Sequence, residues 1–342
     1  MKKQVVVYKR LPQPELARLA GWFDLTRFDS IDEHNRGAFL AAIQWAHGLI
    51  GASVKLTNEM LSCADRLEAI STISVGYDNF DVRFLTERGI VLTNTPGVLT
   101  ESVADAIFAL MLAVARRVVE LAEFVKAGRW KGSIGPSLYG VDVHSKTIGI
   151  IGMGRIGLAV ARRACLGFNM PVLYYNRHRN AQAESLFEAR KCGLDEVLAG
   201  ADFVCVILPL TPETERFIGE REFNLMKPEA FFINGSRGKI VDEGALVRAL
   251  QSRRIRGAGL DVFEKEPLSA ESPLLTMPNV VALPHLGSAT HETRLAMIRC
   301  AVENLIAVLN GGSSENTVNP EALDRRHSGG SGAKGASDKI CD

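Results

Sequence analysis

The chain has 342 residues, enough for two domains with separate hydrophobic cores, and 46% of them are apolar while 23% are charged. This composition argues against extensive disorder and fibrous structure. Lys and Arg number 40 against 39 for Asp and Glu, a balance that argues against general binding to nucleic acid or to an anionic membrane surface. We therefore expect a small molecule as the partner, with no nucleic acid and no membrane.

The chain shows no segment typical of membrane insertion or export. The longest apolar stretch, 103–115, is interrupted by Asp105 and is too short to span a bilayer, so it predicts a buried helix. The first residues lead into an apolar strand without a cleavable segment, and we expect a cytoplasmic location. Six cysteines are scattered without C-x-x-C spacing, so no metal site is predicted.

In the first half of the chain, short apolar runs alternate with weaker helical patterns. The strand candidates are residues 5–8, 48–50, 69–74 and 91–93, and the helix candidates are 14–21 and 57–64. A turn at 94–97 precedes Thr100, which is well placed as an N-cap. This pattern predicts one long helix from there to about Lys126, closed by Gly128.

From residue 146 the alternation restarts and is clearer. The predicted strands are 147–151, 172–175, 203–207, 230–234, 257–260 and 280–283, and the predicted helices are 156–168, 242–253 and 291–309. Alternation of this kind favours an α/β fold with two Rossmann-like, doubly wound domains. Each domain would have a parallel sheet with helices on both faces.

A glycine-rich turn stands between the predicted strand at 147–151 and the helix that follows it. Gly152 permits a tight turn, Gly154 leaves room for a pyrophosphate, and Gly157 lets helix and strand pack closely. The helix N-terminus then presents unpaired N–H groups to the phosphates. A purely structural turn is the alternative, but the flanking strand and helix favour a dinucleotide site. The predicted cofactor residues of this segment are Gly152, Gly154, Arg155, Ile156 and Gly157.

The end of the next strand bears on the choice of dinucleotide. NAD-selective sites usually carry Asp or Glu about 20 residues after the glycines. Here the segment holds Asn176, which can bind a ribose hydroxyl, and Arg177 and Arg179, which can pair with a 2′-phosphate. We predict a preference for NADP(H), with NAD(H) also possible. The alternative is that both arginines are solvated loop charges.

Polar clusters follow the last three predicted strands, where ligands of open α/β sheets bind. They offer the guanidinium of Arg237, the carboxylate of Glu266 and the imidazole of His285. Arginine supplies a planar fork for a carboxylate, and histidine exchanges a proton near neutral pH. Each residue alone is weak support, but the three together, downstream of a dinucleotide fold, suit reduction of a 2-keto acid.

These motifs occur together in a known family. The chain resembles the D-isomer-specific 2-hydroxyacid dehydrogenases, and within them the bacterial glyoxylate/hydroxypyruvate reductases and 2-ketogluconate reductases. The resemblance covers about residues 4–320 and is carried by the glycine-rich turn and by segments 71–79, 234–238, 259–267 and 284–290.

The resemblance implies a role for each site residue. Arg237 would bind the substrate carboxylate and carbonyl, Glu266 would partner the histidine, and His285 would donate the proton. The backbone amides of Val75 and Gly76 would hold the substrate carboxylate, and Asp261 would contact the nicotinamide carboxamide. The further cofactor contacts that we expect are Pro209, Ser236, Asp261 and Gly287.

The implied reaction is hydride transfer from the nicotinamide to C2 of a 2-keto acid, giving a D-2-hydroxy acid. Glyoxylate, hydroxypyruvate, 2-keto-D-gluconate and its 6-phosphate share the keto acid group, and the sequence does not choose among them.

The resemblance also implies the domain organisation. Residues 1–98 and 288–320 would form a discontinuous substrate domain, and 99–287 the dinucleotide-binding domain. Residues 321–342 would be a flexible tail, since their glycine- and serine-rich part is too polar to pack. A homodimer is implied, with the helix at 101–127 and the arm at 128–140 in its interface.

Three other kinds of protein share features of this sequence. Formate dehydrogenases carry Gln in place of the carboxylate that partners the histidine, so Glu266 argues against them. Long phosphoglycerate dehydrogenases have an additional regulatory domain, which the tail cannot form. A corepressor that binds nicotinamide dinucleotide and acts by protein contact stays as the alternative.

Overall fold

A computed structural model of the protein describes residues 1–328, which form twelve strands and thirteen α-helices. The strands are β1 (Gln4–Val7), β2 (Asp24–Arg27), β3 (Gly48–Gly51), β4 (Ala69–Thr72), β5 (Val91–Thr93), β6 (Ile148–Ile151), β7 (Val172–Tyr175), β8 (Arg190–Lys191), β9 (Phe203–Val206), β10 (Phe231–Asn234), β11 (Gly257–Leu260) and β12 (Val280–Ala282). The helices are α1 (Gln13–Trp22), α2 (Arg36–Trp45), α3 (Asn58–Ser62), α4 (Val82–Glu87), α5 (Thr100–Ala115), α6 (Val118–Lys126), α7 (Arg155–Phe168), α8 (Ala181–Phe187), α9 (Leu194–Gly200), α10 (Glu220–Leu225), α11 (Glu243–Gln251), α12 (His291–Leu309) and α13 (Glu321–Ser328).

The chain divides into two compact units. Of the described residues, the first unit contains Met1–Leu99 and 291–328, and the second contains Thr100–Thr290. The divisions fall one and three residues from the positions predicted from the sequence. The functions predicted for the two domains stay predictions.

The first unit is built on a five-stranded parallel sheet in the order β2-β1-β3-β4-β5. Its inner strands β3 and β4 are buried along their whole length, as expected for apolar strands covered by helices. Helix α12 packs on β3, β4 and β5, so a segment distant in sequence completes this unit. The first unit is therefore built from two separate segments of the chain.

The second unit is built on a seven-stranded parallel sheet in the order β12-β11-β10-β9-β6-β7-β8. Strand β6 comes first in this unit, and its neighbours β7 and β9 lie on opposite sides of it. The strand order therefore reverses at β6, and ligands of open α/β sheets bind at such a point, beyond the carboxyl ends of the strands. The predicted α/β class with two parallel sheets is confirmed.

The single helix predicted from Thr100 to Lys126 is wrong. It is broken into α5 and α6, because Arg117 adopts a left-handed conformation with φ of 56°. The carbonyl of Ala115 accepts the N–H of Val141 at 2.9 Å, a contact made by chain 26 residues further on. Gly140 permits this approach, since a Cβ there would lie 2.5 Å from the same carbonyl oxygen.

The predicted flexible tail at 321–342 is wrong at its start. Helix α13 occupies its first eight residues, and Ala322 within it is fully buried. The rest of the predicted tail, 329–342, lies outside the described residues. No helix within residues 1–328 is both long enough and apolar enough to cross a membrane.

Candidate active site

The glycine loop, residues 152–157, joins β6 to α7 in the second unit. Gly152 has φ of +109°, and a Cβ there would lie 2.3 Å from the carbonyl oxygen of Ile207. Gly157 is also obligatory, because its Cβ would lie 2.2 Å from the carbonyl oxygen of Gly152. These two glycines let the turn pack against β9 and the helix against the turn.

Gly154 differs from its neighbours because it faces open space, with no atom within 4 Å of the position of a Cβ. It is the N-cap of α7 and has no side chain to accept the first N–H groups of the helix. Arg155 and Ile156 begin that helix. An open surface in front of unpaired N–H groups fits the pyrophosphate of a dinucleotide.

The segment after β7 holds the residues predicted to meet the adenosine half. Asn176 donates through Nδ2 to the carbonyl oxygen of His178 at 3.1 Å. Arg177 is exposed, and within residues 1–328 its guanidinium makes no hydrogen bond or ion pair. Arg179 instead forms an ion pair with Glu184 at 2.5 Å. The two arginines thus differ in what they offer to a ligand.

The carboxyl ends of β10, β11 and β12 are adjacent in the sheet, and each is followed by one residue of the predicted catalytic set. The Nδ1 atom of His285 lies 2.8 Å from Oε2 of Glu266. Oε1 of Glu266 accepts the N–H of Phe263 at 3.1 Å, so both carboxylate oxygens are engaged. Nε2 of His285 has no hydrogen-bond partner in the described part of the chain, and the side chain is 46% exposed.

Neighbouring positive charges and hydrogen bonds determine the pKa of Glu266. Partial burial alone would raise the pKa of this carboxyl, but the hydrogen bond from His285, the N–H of Phe263 and the positive charges of His285 and Arg237 outweigh it. The pKa of Glu266 is therefore lowered from its ordinary value. The carboxylate is ionised at neutral pH and presents a negative charge to the imidazole.

The loop that carries Arg237 is organised by Asn234, whose role the sequence reasoning missed. Oδ1 of Asn234 accepts both the N–H of Ser236 at 3.1 Å and its hydroxyl at 2.9 Å. Nδ2 of Asn234 donates to the carbonyl oxygen of Arg237 at 3.1 Å. Gly238 packs directly against the backbone of Phe263 in the next loop. A Cβ added at Gly238 would lie only 1.8 Å from the carbonyl carbon of Phe263, so no other residue fits there. The Arg237 and Glu266 loops are thereby packed together.

Asp261 fixes the loop that carries His285. The residue is 3% exposed, and its two carboxylate oxygens accept the N–H groups of Leu286 at 2.7 Å and of Gly287 at 2.8 Å. Burial raises the pKa of Asp261 against the opposing effect of these two bonds. His285 itself adopts φ of 52°, an uncommon conformation for a residue with a Cβ. A contact between Asp261 and the nicotinamide stays a proposal.

The other predicted contacts are placed as follows. Pro209 is exposed after β9, and its carbonyl oxygen accepts the hydroxyl of Thr214 at 2.7 Å. In the first unit, Val75 and Gly76 follow β4, and within residues 1–328 their N–H groups have no hydrogen-bond acceptor. The carbonyl oxygen of Val75 accepts Nδ2 of Asn94 at 2.8 Å, which holds this turn in place. Free backbone donors at a strand end fit a carboxylate.

Within 1–328 no three His, Cys, Asp or Glu side chains are grouped as metal ligands.

Comparison with known proteins places this geometry in a family. A family profile described as "D-isomer specific 2-hydroxyacid dehydrogenase, NAD binding domain" matches residues 108–287. The chain is 57% identical over 323 residues to glyoxylate/hydroxypyruvate reductase B of Cronobacter sakazakii, covering 94% of this chain and 100% of that protein. It is 56% identical over 323 residues to the Yersinia pestis protein of the same name, with 94% and 99% coverage.

Solved structures agree. The NADPH-dependent glyoxylate/hydroxypyruvate reductase of Sinorhizobium meliloti, solved with NADP and malonate, is 33% identical with a TM-score of 0.83, covering 94% of this chain and 98% of that one. The protein TT0316 of Thermus thermophilus is 42% identical with a TM-score of 0.84, and coverage is 92% and 99%. The chain therefore belongs to the D-isomer-specific 2-hydroxyacid dehydrogenase family.

Proposed function

We propose that the protein reduces small 2-keto acids to D-2-hydroxy acids, with NADPH as the preferred reductant. The observation that carries the proposal is the pair of His285 and Glu266, 2.8 Å apart, at a strand end next to that of Arg237. When bound, the reduced nicotinamide supplies the hydride that adds to C2 of the keto acid.

His285 supplies the proton for this reaction. Its Nδ1 faces Glu266, so protonated Nε2 is the ring atom that donates to the carbonyl oxygen as that oxygen gains charge. Glu266 fixes the orientation of the ring and compensates its positive charge. Arg237 orients the keto acid through its planar fork. The N–H groups of Val75 and Gly76 are proposed to bind the substrate carboxylate.

The preference for NADPH rests on Arg177. An unpaired, exposed guanidinium after β7 attracts the additional negative charge of a 2′-phosphate. No carboxylate in 174–179 repels that phosphate. The Sinorhizobium meliloti relative, described as NADPH-dependent and solved with NADP, supports the same choice.

Glyoxylate and hydroxypyruvate are the proposed substrates, as the names of the relatives suggest. We keep 2-keto-D-gluconate and its 6-phosphate as candidates because they share the reacting group. Steady-state kcat/KM values for the four acids, each with NADPH and NADH, test the proposal. Turnover of glyoxylate or hydroxypyruvate with NADPH supports it, and absence of turnover with all four acids would favour the corepressor alternative.

We also propose a homodimer. No residue of α6 is buried, and Val118, Val119 and Val125 are each about half exposed, as is Trp130 in the arm that follows. An exposed apolar surface of this kind is typical of an interface between subunits. Light scattering on the purified protein measures the mass in solution, and a monomer at micromolar concentration would contradict this part of the proposal.

A further inference from the structure

A carboxylate within the protein already engages one of the two arginines at the adenosine end. Glu184, on α8, accepts Nε of Arg179 at 3.1 Å with each of its oxygens and accepts Nη2 at 2.5 Å. Nε and Nη2 form the edge with which a guanidinium binds a carboxylate or a phosphate through two parallel bonds. That edge of Arg179 is therefore occupied before any ligand binds.

Glu184 is held in position independently of Arg179. The hydroxyl of Tyr174, a fully buried residue of β7, donates to Oε1 of Glu184 at 2.6 Å. The same hydroxyl oxygen accepts the N–H of Asn180 at 2.9 Å. Nδ2 of Asn180 donates to the carbonyl oxygen of Met153 at 3.0 Å. The carboxylate is thus linked through two residues to the glycine loop.

Arg177 stands in a different environment. Its backbone carbonyl oxygen accepts Nζ of Lys191 at 3.5 Å, which places a further positive charge near this segment. Its positive charge has a small effect on Glu213. The pKa of Glu213 is lowered mainly by a hydrogen bond with Thr211 and only in lesser part by Arg177. Arg177 therefore keeps a guanidinium available for an anion, whereas Arg179 does not.

We infer that Glu184 is a specificity-determining residue that withholds Arg179 from the 2′-phosphate of NADPH. Arg177 is then the arginine that pairs with the phosphate, and the preference for NADPH over NADH is smaller than two available arginines would give. This inference rests on the proposed function, since it concerns the same cofactor site. The opposite arrangement, in which Glu184 presents Arg179 to the phosphate, predicts the opposite effect when its charge is removed.

The test measures dissociation constants of NADPH and NADH for the free protein by nicotinamide fluorescence, without keto acid. Glu184→Gln removes the charge but keeps an oxygen that accepts the Tyr174 hydroxyl. We expect the Kd of NADPH to fall by about five- to tenfold, because a partly exposed ion pair is exchanged for a charge-assisted bond to phosphate. The Kd of NADH should change by less than about twofold, since it lacks the phosphate that the released arginine binds. This gain in NADPH affinity should be smaller at 1 M salt, because charges more than about 3 Å apart are then largely screened from each other.

Two further variants make the result specific. Glu196→Gln removes a carboxylate from another exposed ion pair, with Arg190 at 2.5 Å, and should leave the ratio of the two constants unchanged. In the double variant Glu184→Gln with Arg179→Ala the gain should disappear.

An unchanged or lower preference for NADPH in Glu184→Gln would overturn the inference, as would equal losses for both cofactors accompanied by a lower Tm. The parent protein tests the proposed function separately. A parent that binds NADH more tightly would refute the cofactor proposal, while the change in the ratio caused by Glu184→Gln would still decide the inference.

Discussion

The loop that carries His285 depends on Asp261, and replacing this residue gives a quantitative test of the site. In Asp261→Ala the N–H groups of Leu286 and Gly287 lose their acceptors. The Gly287 bond is buried and the Leu286 bond is partly buried, so water can compensate only the second. His285 would lose the support that holds its left-handed backbone.

The magnitude follows from these two bonds. A buried donor left without an acceptor costs about 1–3 kcal/mol, so Asp261→Ala should lose roughly 2–4 kcal/mol of unfolding free energy. In a domain of this size that corresponds to a fall in Tm of about 5–15 °C. Asp261→Asn keeps one acceptor oxygen and no longer has a charge to bury, so it should lose about half as much. Because displacement of a catalytic group by about 1 Å costs up to about 100-fold, kcat in Asp261→Ala should fall by about 10- to 100-fold.

Calorimetry, denaturant titration and steady-state kinetics measure these quantities on parent, Asn and Ala proteins. The order of stability should be parent, then Asn, then Ala, with kcat following the same order. An Ala variant with parental Tm and parental kcat would refute the assignment of Asp261 as the residue that fixes this loop.

Two further predictions concern the substrate and acid stability. Arg237→Lys should lower kcat/KM for the keto acid by about 10-fold or more, because an ammonium cannot form the two parallel bonds that orient a carboxylate; parental kinetics would show that Arg237 does not touch substrate. Asp202 accepts Nζ of Lys227 at 2.8 Å and the N–H of Thr147 at 2.9 Å, and these bonds, against partial burial, lower its pKa. A lowered folded pKa means that its stabilisation is complete above the unfolded value near pH 4 and is lost as pH falls below it. Asp202→Asn should therefore lower the free energy of unfolding by about 1 kcal/mol at pH 7. Between pH 5 and pH 3 its Tm should fall by less than the Tm of the parent. Parallel curves of Tm against pH would contradict this.

The elements that could be predicted from the sequence are those that are buried along their whole length. Strand β6 is an unbroken apolar run followed by glycines that sterics require, so the turn and α7 were predictable within one residue. By contrast, β2 carries an exposed polar sequence at the edge of its sheet, and β8 is only two exposed residues long. Neither shows the alternation or the apolar run by which a strand is recognised.

The remaining differences come from contacts that no local sequence pattern indicates. The break after α5 depends on the bond from Val141 to Ala115, and no local propensity at 115–118 signals it. The paired state of Arg179 depends on Glu184, which lies five residues on in a helix that was not predicted. Polar residues can be found by their motifs, but which of them bond to each other depends on the folded backbone.

We propose that the protein is a keto acid reductase in which His285 delivers the proton. Its most direct test is kcat with hydroxypyruvate and NADPH, together with the Kd of NADPH, for parent and His285→Ala. A matched control is His144→Ala, an exposed histidine of the same unit. We predict that kcat of His285→Ala is lower than that of the parent by a factor of about 10²–10⁴, which is the usual contribution of a positioned acid. The Kd of this variant for NADPH and the kcat of the control should equal those of the parent. A parental kcat in His285→Ala at neutral pH would contradict the account.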